Sequence, residues 1–200
     1  MNELQKLRSA ITRIAWGYIF TLVDIKIGQI DILPSFIGFG IMLSAFSLLK
    51  EKSKTVSLLR PFAYVLIVWN VISWILKAGV SVSVPFLSVT IINYISYIIE
   101  IIELYFNFQL LTEMSIIAAE YQPSDIELDK SFLTKRNVLT VFSTVILIFS
   151  FATNTIPENY SDIITVIFAG ISVITLFLMF IIVYSLFRLK SFIPKEQSEE

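Results

Sequence analysis

The sequence predicts an all-α integral membrane protein, a single-domain bundle of six transmembrane helices with both termini in the cytoplasm. Three observations lead there. The 200-residue chain is 56% hydrophobic with only 16% charged residues, against roughly 25% in soluble domains, and its mean hydropathy is +0.80. Apolar runs recur at lengths near the roughly 20 residues needed to cross a hydrocarbon core as helix. Finally, 13 of the 15 Lys and Arg residues fall on one side of a six-span layout, the bias that sets orientation in membranes.

The spans are read as Ile11 to Val23, Pro34 to Leu49, Arg60 to Gly79, Val84 to Thr112, Asn137 to Thr153 and Ile163 to Arg188. Residues 1–10 form an interfacial segment, because Leu4, Leu7, Ile11 and Ile14 recur at helical spacing beside Lys6, Arg8 and Arg13. Between the first two spans, Ile25, Ile27, Ile30 and Ile32 alternate with Asp24, Lys26, Gln29 and Asp31. Period-2 alternation reads as a short extended hairpin turning at Gly28-Gln29; an irregular or re-entrant link fits equally well. Pro34 suits the start of the second span, where its missing N–H is not needed. Gly38, Gly40 and Ser44 give that span a face of small residues for close helix packing.

Residues 113–136 are expected to form a cytoplasmic loop, acidic at Glu113, Glu120, Asp125, Glu127 and Asp129, then basic at Lys130, Lys135 and Arg136. Pro123 should end the preceding helix, and Ser124 to Glu127 has the form of a capping box for a short surface helix. Residues 191–200 read as a disordered tail. Inner segments hold every Lys and Arg except Lys26 and Lys77.

Glu100 and Glu103 are the feature that apolarity does not explain. An ionised side chain at the centre of a membrane helix costs about 3 kcal/mol, so it faces protein or a water-filled cavity and marks a functional site by default. On the fourth span, Asn93, Ser96, Glu100, Glu103 and Asn107 share an arc of about 80° at 100° per residue. Isoleucine and aromatic side chains occupy the rest of the helix. The third span carries Asn70, Ser73 and Lys77 at related spacing. An antiparallel turn near Val82 would set Arg60 level with Glu103, as its ion-pair partner, and leave Glu100 less compensated. Two carboxylates at i and i+3 couple in their titration, which suits a proton relay or a cation site. The structural alternative is a salt bridge from Glu103 to Arg60 and a helix–helix bond from Glu100. Asp24, Lys26 and Asp31 make a second candidate site at the outer mouth, or a solvated rim.

With no Cys and no His, disulfides, thiolate metal sites and the commonest general base are excluded. No phosphate loop, HExxH or G-x-S-x-G motif occurs. No catalytic residue, metal site or cofactor is therefore assigned, and the sequence leans away from an enzyme. A net charge of -1 gives no basic field for nucleic acid. The expected partners are the lipid bilayer, a small-molecule or ion ligand, and a membrane-protein partner or transporter subunits.

The segment from Asp24 to Gly38, with Lys26, Asp31-Ile-Leu-Pro34 and Ile37-Gly38, resembles a pattern of small uncharacterised bacterial multi-span membrane proteins. That resemblance implies topology and a bacterial plasma membrane. The size and six-span layout are also similar in architecture to the substrate-binding subunits of energy-coupling-factor transporters. Two functions follow as expectations. One is binding or transport of a small solute or ion along the fourth-span seam, alone or as a transporter subunit; the other is a non-transporting regulator, sensor, immunity or assembly factor acting by protein–protein contacts.

The cysteine-free background makes the orientation directly testable. Single cysteines placed at Ser53 or Ser131 should stay unlabelled by a membrane-impermeant thiol reagent in intact cells, and labelling of either would reject the six-span arrangement with an inner N-terminus.

Overall fold

The computed structural model describes residues 2–22, 26–27, 30–31, 34–49, 54–77, 89–152 and 161–194. Six helices form among them: α1 (Glu3–Leu22), α2 (Ser35–Leu49), α3 (Lys54–Lys77), α4 (Val89–Tyr121), α5 (Leu128–Ala152) and α6 (Ser161–Phe192). Between α1 and α2, β1 (Lys26–Ile27) pairs antiparallel with β2 (Ile30–Asp31), with Lys26 opposite Asp31 and Ile27 opposite Ile30. That register leaves a two-residue connection. Of the tail expected over 191–200, Ser191 and Phe192 belong to α6 and Ile193 is buried; the residues from Lys195 onward, the turn expected at Gly28-Gln29 and the turn near Val82 lie outside the described residues.

Four helices contain stretches long and apolar enough to span a bilayer: Thr55–Leu76, Ile91–Tyr121, Leu128–Phe151 and Thr165–Phe192. The other two fall short of that standard for different reasons. α1 has 20 residues but carries Lys6, Arg8 and Arg13 among its apolar positions. α2 is apolar throughout but has only 15 residues, about 22 Å at 1.5 Å per residue.

Local chemistry accounts for most helix ends. Asn2 caps α1, its Oδ1 accepting from the Gln5 amide at 3.1 Å. Pro34 stands immediately before α2, and its carbonyl accepts from the Ile37 amide at 3.0 Å. α3 starts at Lys54, ahead of the expected Arg60, so Pro61 sits inside the helix. There it offers no N–H for the helix ladder.

The loop expected over residues 113–136 is much shorter. α4 runs on to Tyr121, where Pro123 stops it, and α5 already begins at Leu128. Glu113 is 2% exposed inside the bundle, with one carboxylate oxygen accepting from Gln109 at 3.3 Å. No separate surface helix forms from Ser124 to Glu127. Gln122 instead caps α5 from the end of α4: its Oε1 accepts from the Asp129 amide at 3.0 Å and its Nε2 donates to Asp129 Oδ1 at 2.8 Å. This reciprocal pair satisfies an orphan N–H of the first turn and overrides the capping-box pattern.

Each helix packs on its chain neighbours, and α6 returns to pack on α1, so the six form a closed ring in sequence order. Burial is concentrated at one end of that ring. The core runs from Leu7 to Tyr18 of α1, Phe39 to Leu49 of α2, Val56 to Leu66 of α3, Phe106 to Ala118 of α4, Leu128 to Leu139 of α5 and Ile182 to Ile193 of α6, with Ile99 of α4 as its one member nearer the other end. Among the described residues, α5 beyond Leu139 and α6 before Ile182 bury no side chain fully. The packed end is also the end that carries most of the Lys and Arg residues.

A close crossing near that end joins α1 to α2. A Cβ added at Gly38 would lie 2.5 Å from the Gly17 carbonyl oxygen and 2.9 Å from the Thr21 nitrogen, and one at Gly17 would lie 2.8 Å from the Gly38 carbonyl. Only backbone fits there. The expected small-residue face is thus realised at Gly38, with Gly17 as its unforeseen partner. Gly40 faces open space, and Ser44 accepts from Arg13 at 3.2 Å rather than lining the crossing. Gly38→Ala should lower the melting temperature of the purified protein by the equivalent of about 1–3 kcal/mol, the usual cost of overpacking. Gly40→Ala should be neutral or stabilising, and equal losses at both positions would contradict the crossing.

Candidate functional site

Glu103 lies within one turn of the midpoint of α4, with Glu100 one turn nearer the loosely packed end. Glu100 is exposed and Glu103 half-buried. Together they form the shared wall of two cavities. A larger one of about 470 Å³ opens between α3 and α4, where Trp69, Asn70, Ser73 and Ser96 join the two glutamates. A smaller one of about 200 Å³ lies among α4, α5 and α6, lined by the same glutamates with Asn107, Ser143, Thr175 and apolar residues including Leu139 and Met179.

The polar stripe read from the sequence is therefore split. Ser96 and Asn70 belong to the α3 side, Asn107 to the α5–α6 side, and the carboxylates to both. Ser96 donates to the Ile92 carbonyl at 3.0 Å and Asn70 Nδ2 to the Leu66 carbonyl at 2.8 Å. These bonds fix the side chains and leave oxygen atoms as their remaining acceptors. Asn93 is exposed and lines neither cavity.

Asn107 is held from below. Tyr18 of α1 is 1% exposed, and its hydroxyl donates to Asn107 Oδ1 at 2.9 Å. Phe106 packs against Phe39 and Phe46, with ring centroids 5.8 and 6.0 Å away. The carboxylates thus stand directly above an aromatic floor.

The expected Arg60–Glu103 ion pair does not form. Arg60 Nε is buried without a hydrogen-bond partner, and among the described residues no ion pair joins the two side chains. The register explains this. Phe62 stacks on Tyr105 at 5.1 Å, so antiparallel α3 places Arg60 level with Asn107, about one helical turn from Glu103. Among the described residues, no Lys or Arg lines either cavity.

Trp69, Ser143, Thr175 and Tyr18 are participants that the spacing did not single out. Tyr18 continues the buried stripe Leu7, Ile11 and Ile14 at helical intervals, a signal of burial that leaves its hydroxyl unaccounted for. Ser143 and Thr175 are each one of several hydroxyl residues on their helices, with Thr144 and Ser172 close by, and only the packing of α5 and α6 on α4 marks them. Of the outer-mouth candidates, Lys26 and Asp31 are paired positions of the β ladder, and Asp24 lies outside the described residues.

Chemically, the lining offers two carboxylates, amide and hydroxyl oxygens, one indole and apolar surface. Among the described residues, no three Asp, Glu, His or Cys side chains cluster as metal ligands. Such a set favours cations over anions, because opposite charge is supplied only by the glutamates. Comparison with known protein families, curated proteins and solved structures gave no match.

Proposed function

We propose that this chain is a six-span protein of a bacterial plasma membrane, with both termini cytoplasmic, that binds a small cation or protonated solute at Glu100 and Glu103 and moves it along the α4 seam, alone or as a transporter subunit. The observation that carries the reading is the placement of two carboxylates on the wall between two cavities, with no cationic side chain in the lining among the described residues. Two negative charges in a low-dielectric surrounding repel each other and attract a counterion or proton strongly. Asn70, Ser96, Asn107, Ser143 and Thr175 supply neutral oxygens around that charge.

A second reading, a non-transporting sensor or regulator, draws on the dry floor beneath the carboxylates. Phe39, Phe46, Phe106 and Tyr18 close that end, so solute can occupy the site without passing through. Binding followed by transport needs this floor to rearrange; sensing does not.

Calorimetric titration of the purified protein with sodium, potassium and small organic ammonium ions tests the binding claim. The parent should bind at least one of them, and Glu100→Gln and Glu103→Gln should each weaken that affinity at least about tenfold, equivalent to about 1.4 kcal/mol. Identical affinities in parent and variants, or binding by none of these ions in any form, would refute the site. Counterflow of the bound cation in proteoliposomes then separates the two readings: exchange across the membrane supports transport, and binding without exchange supports the sensor.

A further inference from the structure

A third cavity, of about 420 Å³, lies at the opposite end of the helices from the open mouth, between the 122–127 connection, the start of α5 and the last turns of α6. Its polar lining includes Ser131, Lys135, Ser185 and Arg188. We propose that this cavity binds the phosphate group of a phosphate ester, either a phospholipid headgroup or a soluble phosphomonoester.

Lys135 reaches the pocket already oriented. Its Nζ donates to Ser131 Oγ at 2.7 Å and to Ser185 Oγ at 2.6 Å, which leaves one of its three N–H groups for a ligand. Ser185 is 2% exposed, and its hydroxyl donates to the Ile181 carbonyl at 2.8 Å. The serine oxygen is thereby turned into an acceptor that holds the ammonium. Arg188 packs its guanidinium over Phe192 at 5.7 Å, and among the described residues it makes no side-chain hydrogen bond or ion pair. Planar guanidinium donors match phosphate oxygens in bidentate fashion.

Two acidic residues, Asp125 and Glu127, also line the cavity. Both are exposed, and Glu127 is already engaged by Lys130 at 2.5 Å. Lys135 and Arg188 balance Asp125 and Glu127 in the lining, so the preference for phosphate rests on the donors that the two cations leave free rather than on net charge. Beside the cations, Ile181 and Tyr184 of α6 are 49% and 68% exposed, an apolar and aromatic strip along which acyl chains can lie below a headgroup. That strip continues through Phe177 and Phe180, which are 64% and 49% exposed.

The test is a melting-temperature series on the full-length, delipidated protein in detergent, each variant measured against its own lipid-free baseline. Phosphatidylglycerol should raise the melting temperature of the parent by mass action, and diacylglycerol, which lacks the phosphate, should not. Arg188→Gln and Lys135→Gln should each reduce the shift by at least half, whereas Lys190→Gln, which removes a charge outside the pocket, should retain it. Glycerol phosphate added alone assigns the source: a shift as large as that of phosphatidylglycerol points to a soluble ester, and a shift with the lipid alone points to the membrane. Equal responses to phosphatidylglycerol and diacylglycerol would overturn the proposal. So would an equal fall of the shift in Lys190→Gln and Arg188→Gln, or no fall in either pocket variant.

Discussion

A carboxylate on an apolar helix has to be met by polar groups, water or a cation, and α4 carries two of them one turn apart. Each unmet charge costs about 3 kcal/mol at mid-membrane, a large fraction of the net stability of a small domain. The surroundings of Glu100 and Glu103 follow from that constraint. Hydroxyl and amide side chains from α3, α5 and α6 converge on the two residues, and the bundle leaves space on both sides of them. Their exposure is matched by an unusual economy elsewhere, since the nearest arginine on α3 is offset by a helical turn and does not neutralise them.

The packed end makes such an opening affordable in structural terms. Phe106, Phe46, Phe39, Leu110 and Tyr18 are all at most 3% exposed, and the Gly17–Gly38 crossing brings α1 and α2 within backbone contact. Hydrogen bonds tie the same region across the ring, from Arg8 of α1 to the Ile193 carbonyl after α6 and from Arg136 of α5 to Thr112 of α4 at 3.0 Å. Arg136 also stacks on Phe108 at 4.3 Å. With rigidity supplied at this end, α5 and α6 need not pack tightly at the other. Glu100 and Glu103 sit at the boundary between the two regimes.

The number and order of helices were legible in the sequence because long apolar runs and punctuating polar links are strong signals. The alternating isoleucines on either side of Gly28-Gln29 left a hairpin and an irregular link equally open, and the β1–β2 ladder decides between them. What escaped the sequence was long-range geometry. Gly17 is one glycine in an amphipathic stretch, and its importance appears only when Gly38 is laid against it. Glu113 is charged and follows the apolar run, so it reads as loop, whereas tertiary packing carries α4 two turns farther and buries it. The Arg60–Glu103 pairing failed through a register error of about three residues, enough to move a side chain by nearly a full turn. The glutamate stripe itself was visible from periodicity, but its Ser143 and Thr175 neighbours on other helices were not.

The central claim is that Glu100 and Glu103 impose a cation preference on a water-accessible cavity, and the reactivity of a cysteine at Ser143 measures it most directly. Ser143 lines the smaller cavity with both glutamates, and the chain contains no other thiol. Ser143→Cys should react with a positively charged, membrane-impermeant thiol reagent roughly tenfold or more faster than with a negatively charged one of similar size, consistent with focusing of like-signed fields in clefts. Adding Glu100→Gln and Glu103→Gln should erase that ratio. A cysteine that reacts with neither reagent from either side of the membrane, or with both at equal rates while the glutamates are intact, would contradict the account.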